Sequence, residues 1–284
     1  MQTKSPPLRA CRVRFLIYNE SVNVMKKRWK VRVLSLFVCL LGFCCAEEEW
    51  LFAKNTELKP FDQLAISKVA CGPASALNTL RFSGSKWSNA LKKYRQATDE
   101  ETLRNVIFNL AGMRSQRGGG ALWSEESMMS AESYVEMVNL LRGRSVFKKK
   151  VKRYSLETKP GSSTLKQLEV NLKQSLAKEI APTLELVLMV KPDFSGIDID
   201  KWLPLEGHLM VVIGVKVERD GLRLKVADSD GGRKYDIVVR EELQEADNRR
   251  PKLAVDAPEF RLWKEQQEAN SIHQITITGV IAAK

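Results

Sequence analysis

Cys71 opens the run Cys71-Gly72-Pro73-Ala74-Ser75, which suits a sulfur nucleophile. Pro73 fits the first turn of a helix, where its missing N–H costs no hydrogen bond. A cysteine at a helix start meets the positive end of the dipole and free backbone N–H groups, which favour an anionic sulfur. Gly72 lets the backbone turn sharply and a substrate approach. Such a nucleophile needs a base, and the base needs a third group to orient it. The chain has two histidines, His208 and His273. His208 stands in Gly207-His208-Leu209-Met210-Val211-Val212-Ile213-Gly214-Val215, at the mouth of an apolar strand that would hold an imidazole rigidly at the rim of a core. The bland reading of His208 is a surface residue at a strand end. His273 shares a face with Ile275 and Ile277 and reads as structural.

Asp228 and Asp230 are the candidates for the third group. A three-residue loop in Glu218-Arg219-Asp220-Gly221, with Gly221 in the left-handed position, would pair Glu218 with Leu222. Asp230 would then face Met210, two residues from His208 in register, and Asp228 would face Val212, four residues away. At a rise of about 3.3 Å per residue, that register favours Asp230. A tetrahedral intermediate also needs an oxyanion donor besides the Cys71 N–H. Gln63, eight residues upstream, is the candidate, although most glutamines are simply surface residues.

These motifs resemble the bacteriocin-processing, double-glycine cysteine peptidases and their relatives (cysteine peptidase family 39). That pattern has an upstream glutamine, a Cys-Gly-Pro helix start, Gly-His before an apolar strand, and a strand ending in Asn-Asp-Pro. Here these are Gln63, Cys71-Gly72-Pro73, Gly207-His208 and Ala227-Asp228-Ser229. The likeness covers roughly 61–81 and 205–235, and the intervening residues match only in order of elements. Ala70 and Ser229 depart from the pattern, and the transporter of the bacteriocin-processing members is missing. The resemblance implies a papain-like fold with a Cys71–His208–Asp228 triad and Gln63 in the oxyanion hole, so it selects Asp228 and leaves Asp230 in reserve. The stretch from Cys71 through Leu77-Asn78 is also similar to phytochelatin synthases, which act on glutathione.

The elements that must position these residues come in a telling order. Helices are expected from Cys71 to about Arg81, over 98–112 and 126–142, and from Thr164, where Thr164 and Gln167 have capping-box spacing. Strands are expected over 147–155, 183–190, 210–217, 222–228, 234–239 and 272–281. Helices first and strands later imply α+β, with the nucleophile helix in a layer packed on an antiparallel sheet. Residues 47–284 would form one such domain.

Composition narrows the function class. The chain has 284 residues and a net charge of +12, but residues 1–46 carry nine Lys/Arg and one acidic residue. The rest holds 37 basic and 33 acidic residues, so the charge is no nucleic-acid footprint. The basic run Lys148-Lys149-Lys150 with Lys152 and Arg153 reads as a solvated strand edge. Residues 25–46 have a basic start, an 11-residue apolar run from Val33 to Phe43 and small residues at Cys44-Cys45-Ala46, as in a secretory signal peptide cleaved after Ala46. The run is too short to span a bilayer. Residues 1–24 before Met25 then read as a mis-annotated extension. Of the five cysteines, Cys11, Cys39, Cys44 and Cys45 precede that cleavage, which leaves Cys71 as a lone thiol and no internal disulfide. Two histidines and one cysteine do not supply a nitrogen and sulfur zinc site. No cofactor or metal is implied. The expectation is therefore a secreted or periplasmic monomer, with no nucleic-acid partner and no membrane attachment after cleavage, that hydrolyses a peptide or small amide. The alternatives are a glutathione-directed acyltransferase and a non-catalytic peptide-binding module on the same fold.

Overall fold

The computed structural model describes residues 49–111, 113–115, 120–125, 129–143, 151–156, 163–191, 203–242, 253–261 and 272–284. The expected signal segment 25–46, the extension 1–24 and the Lys148–Lys150 run lie outside these residues. Strand β1 is Leu51–Phe52, followed by a 3-10 turn at Gln63–Ala65. Helices α1 (Cys71–Phe82), α2 (Ser85–Leu91), α3 (Asp99–Ala111) and α4 (Ala131–Leu141) come next. After β2 (Val151–Ser155) and α5 (Thr164–Ala177) the chain is built of strands. These are β3 (Thr183–Lys191), β4 (Leu203–Glu218), β5 (Gly221–Asp228), β6 (Arg233–Glu241), β7 (Leu253–Asp256) and β8 (Ile272–Ala283).

The strands overturn the expected papain-like α+β fold with a helical layer on an open sheet. β4 pairs with β3 along one edge and with β5 along the other, and the path β3-β8-β7-β6-β5 returns to β4. The architecture is mainly a closed six-stranded antiparallel barrel, β3 to β8. β1 is added on β4, and β2 on the C-terminal half of β8. Bulges supply the bends that closure needs. They interrupt the β3–β4 ladder at Leu205 of β4, opposite Leu188 and Met189, the β3–β8 ladder between Glu185 and Leu186, and β4 between Val212 and Gly214. Sixteen-residue β4 carries a continuous buried run, His208 to Val215, because both its faces are covered. Met210, Val212 and, past the bulge, Val215 join the barrel interior with Leu224, Val226 and Ile237. Val211 and Ile213 point the other way and pack with Phe82 of α1.

Helices α1 to α4 pack outside this barrel. α1 is buried along nearly its whole length, and small residues at its start (Gly72, Ala74, Ser75, Ala76) let it lie close to its neighbours. Ser75 Oγ donates to the carbonyl of Leu209 on β4 at 2.7 Å, which fixes the helix against the strand bearing His208. α3 begins with a reciprocal capping box in which Thr98 N–H donates to Glu101 and Glu101 N–H donates to Thr98 Oγ1. The cap of α5 is Ser163, whose Oγ accepts from Lys166 N–H, one residue earlier than Thr164/Gln167 spacing implies. Leu168, Leu172 and Leu176 of α5 join the barrel-interior core. Glu48–Lys284 form one compact unit.

Candidate functional site

α1 starts at Cys71 after Ala70, which has no side chain able to cap it. No carboxylate therefore competes at the helix start with a negative charge on the sulfur. Cys71 is a half-buried free thiol. Gly72 has a packing reason as well: a Cβ there would lie 2.7 Å from Met129 Sδ and 3.1 Å from Met129 Cβ. Its lack of a side chain lets the segment before α4 close against the thiol end of α1.

His208 is buried on β4, and its Nε2 lies 2.7 Å from Asp228 Oδ1. The register explains why this aspartate, and not Asp230, reaches it. The β4–β5 hairpin pairs Glu218 with Gly221 across a two-residue turn, Arg219-Asp220, and the bulge at Ile213 shifts the ladder once more. Asp228 thereby faces Met210, two residues from His208. The register with a three-residue loop and no bulge, which placed Asp230 there, is incorrect by these two shifts. Asp230 instead binds the Arg261 guanidinium Nε with both oxygens, at 3.0 and 2.9 Å. It still serves Asp228, because its backbone N–H donates to Asp228 Oδ1 at 2.9 Å.

Asp228 is fully enclosed, and its second oxygen accepts the Tyr235 hydroxyl at 2.7 Å. Burial would raise the Asp228 carboxyl, but the charge and hydrogen bond of His208, with the Tyr235 and Asp230 donors, hold it below the ordinary aspartate value. Burial likewise would lower His208. The Asp228 charge and hydrogen bond outweigh it, a hydrogen bond to Cys71 adds to them, and the imidazole is pushed up to about 10. The pair is therefore an imidazolium and a carboxylate at neutral pH. With Nε2 on Asp228, the ring nitrogen left for the Cys71 sulfur is Nδ1. Phe260 lies across the imidazole at 5.2 Å between ring centroids. It is itself buried and keeps water from the ion pair.

Gln63 is also buried, and all its protein contacts serve the frame of the site. Its N–H donates to the Ser229 carbonyl at 2.8 Å, and its Oε1 accepts from Ser229 Oγ at 2.7 Å. Its Nε2 donates to the Lys68 carbonyl at 2.7 Å. One carboxamide thus ties the approach to Cys71 to the turn after Asp228, and one Nε2 proton has no acceptor among the described residues. Trp123 Nε1 donates to the Val69 carbonyl at 3.1 Å and steadies the same approach. Tyr134, Thr79 and Thr183 share a buried ring of hydroxyl contacts of 2.8 to 3.0 Å. Burial, and to a lesser degree the nearby Cys71, raises the Tyr134 phenol.

No protein-family model, curated protein or solved structure matches the chain. Its function is therefore argued from the chemistry of this site. The structure brings Cys71, His208 and Asp228 together and holds Gln63 beside them, while Asp230 supports the group from behind. His273 pairs through its backbone with Val190, and its side chain lies outside the described set. Sequence reading missed Tyr235, Ser229, Phe260 and Arg261. Tyr235 alone had a signal: Gly231-Gly232 marks a tight turn, which sets Asp228 against Arg233 and puts Tyr235 two residues further along β6. Among the described residues, no group of His, Cys, Asp and Glu could hold a metal ion. Nor is any described helix long and apolar enough to cross a membrane.

Proposed function

We propose that this chain is a thiol hydrolase that cleaves a peptide or small amide bond through Cys71, His208 and Asp228. The supporting observation is the buried imidazole bound to the Asp228 carboxylate through Nε2, with the Cys71 thiol near enough to help raise it. Thiol, imidazole and carboxylate in that order form the nucleophile, base and orienting group of acyl transfer, an arrangement that recurs on unrelated folds. A barrel with the nucleophile on an outer helix is a workable scaffold for it.

In this mechanism Cys71 Sγ attacks the carbonyl carbon, forming the C–S bond while the carbonyl pair moves onto oxygen. The Cys71 N–H and the second Nε2 proton of Gln63 receive that oxyanion. The imidazolium of His208 gives its proton to the departing amine as the C–N bond breaks, leaving a thioester. Water then attacks the thioester, His208 takes its proton, and the acid is released with the sulfur restored. Asp228 holds the ring in one orientation and stabilises its charge, and Tyr235 holds Asp228. Residues 25–46 act in this reading as an export signal, so the enzyme works outside the cytoplasm as a monomer. N-terminal sequencing of the exported protein should then begin at Glu47, and a retained segment would end that part of the reading.

The test of the chemistry has two arms. Iodoacetamide at pH 6 should label Cys71 faster than it labels free cysteine, and Asp228→Asn should slow the labelling. A pool of peptide amides should be hydrolysed by the wild-type chain and not by Cys71→Ala. Labelling no faster than free cysteine, or turnover that survives Cys71→Ala, would overturn the proposal. Fast labelling with no turnover and with peptide binding unchanged in Cys71→Ala would favour a binding module.

A further inference from the structure

A cavity lies at the opposite end of α1 from the thiol. Arg81 lines it, ten residues along the helix from Cys71, a distance of about 15 Å at 1.5 Å per residue. Its volume is about 470 Å³, within the range of small-molecule sites. Leu58, Phe61 and Leu91 give it apolar wall, and Asn55, Ser88 and Thr102 give it hydroxyl and amide groups.

The charge of the lining is one-sided. Lys59, Arg81, Lys92 and Arg95 face it with a single carboxylate, Asp99. Arg81 and Asp99 satisfy one another through two bonds of 2.8 and 2.6 Å, while Arg81 also donates to the Lys59 carbonyl and lies 3.7 Å over the Phe61 ring. The Asp99 charge is therefore already spent on a fixed guanidinium. Lys59, Lys92 and Arg95 have no carboxylate partner among the described residues. Three acidic residues close in sequence are engaged elsewhere: Glu100 by Arg104, Glu101 by the Thr98 cap, and Asp62 by backbone N–H groups. Three unneutralised cations around a partly apolar cavity are complementary to a ligand with an apolar body and an anionic group.

We infer that this cavity is a binding site for a small organic anion, one or two rings in size and bearing a phosphate or carboxylate. The apolar body sits against Leu58 and Leu91, and the anion is held by Lys92, Arg95 and Lys59. The inference is independent of the thiol chemistry. The wall is nonetheless continuous with the catalytic frame, because Phe61 N–H donates to Asn78 of α1 and Gln63 follows two residues later.

Titration of the purified chain, followed by calorimetry, uses phenyl phosphate and phenylacetate as probes, with inorganic phosphate and benzyl alcohol as the charge-only and ring-only controls. At least one ring-bearing anion should bind about tenfold or more tightly than either control, a difference that corresponds to about 1.4 kcal/mol. Lys92→Glu with Arg95→Glu, both exposed, should weaken that binding at least tenfold while leaving the melting temperature near wild type. Ser88→Trp should weaken it by filling the cavity. No saturable binding of either ring anion, equal affinity for inorganic phosphate, or binding unchanged in the charge-reversed variant would overturn the inference.

Discussion

Asp228→Asn tests the electrostatic heart of the site without changing its shape. In the wild type the Asp228 carboxylate and the Cys71 sulfur overcome the burial of His208 and push the imidazole up to about 10. The amide removes the carboxylate charge and leaves the burial. His208 should then titrate below its ordinary value of 6.5, since the largest single influence on it lowers it. At pH 8 about 99 % of wild-type His208 rings carry a proton, against about 3 % or fewer in the variant. The chain has only two histidines, so ring carbon or nitrogen chemical shifts followed from pH 5 to 11 resolve both curves. Stability should follow with a definite sign. A raised histidine contributes fully below about 6.5 and loses that contribution as pH climbs through about 10. The lowered Asp228 contributes above the ordinary aspartate value and loses its share in acid. The stability advantage of wild type over Asp228→Asn should therefore be largest near pH 5 to 6.5 and decline toward pH 10. A variant whose His208 remains protonated at pH 8 would refute the reasoning, since Asp228 would then not be what holds the charge.

Tyr235→Phe removes the donor on the second oxygen of Asp228 at constant ring volume. It should cost about 1.5–3 kcal/mol in urea unfolding, the range for a hydrogen bond to a charged group, and bring the acid loss of stability to higher pH. Asp230→Asn, by contrast, should leave His208 protonated at pH 8, because Asp230 reaches Asp228 only through its backbone N–H. A collapse of the His208 titration in that variant would make Asp230 the orienting group. Gly72→Ala should slow Cys71 alkylation and lower stability by about 1–3 kcal/mol, as its Cβ would meet Met129 at 2.7 Å, and adding Met129→Ala should restore both. Failure of that rescue would mean that the glycine is required for backbone conformation.

Most elements were legible because their patterns are local. The period of α1 and the alternation in β5, β6 and β8 follow from side-chain spacing alone, so their spans differ from expectation by only a few residues at the ends. Closure was not legible. Whether β4 ends an open sheet or pairs on both edges depends on bulges, which add a residue without any apolar signature. β1 and β7, of two and four residues, are too short to show a period, yet β7 carries the path from β8 to β6 that completes the barrel. An order of helices followed by strands fits an open layer and a closed barrel equally well, so element order did not decide between them.

The site shows the same division between chemistry and register. Residue type and neighbours singled out Cys71 and His208, because a thiol at a helix start and an imidazole at the head of an apolar run are local facts, although β4 starts five residues before His208. The choice of aspartate is a question of register, and a slip of one residue in a ladder turns every side chain to the opposite face. The hairpin turn is one residue shorter than the motif Glu218-Arg219-Asp220-Gly221 implied, and the Ile213 bulge moves the pairing by one more. Each shift alone would direct Asp228 to the other face of β5, and together they return it to the face of His208, one pair nearer. The same bulge turns Val215 back into the barrel core. The irregularity in β4 thus serves barrel closure and the His208–Asp228 contact at once, and deleting Ile213 to straighten the strand should cost both.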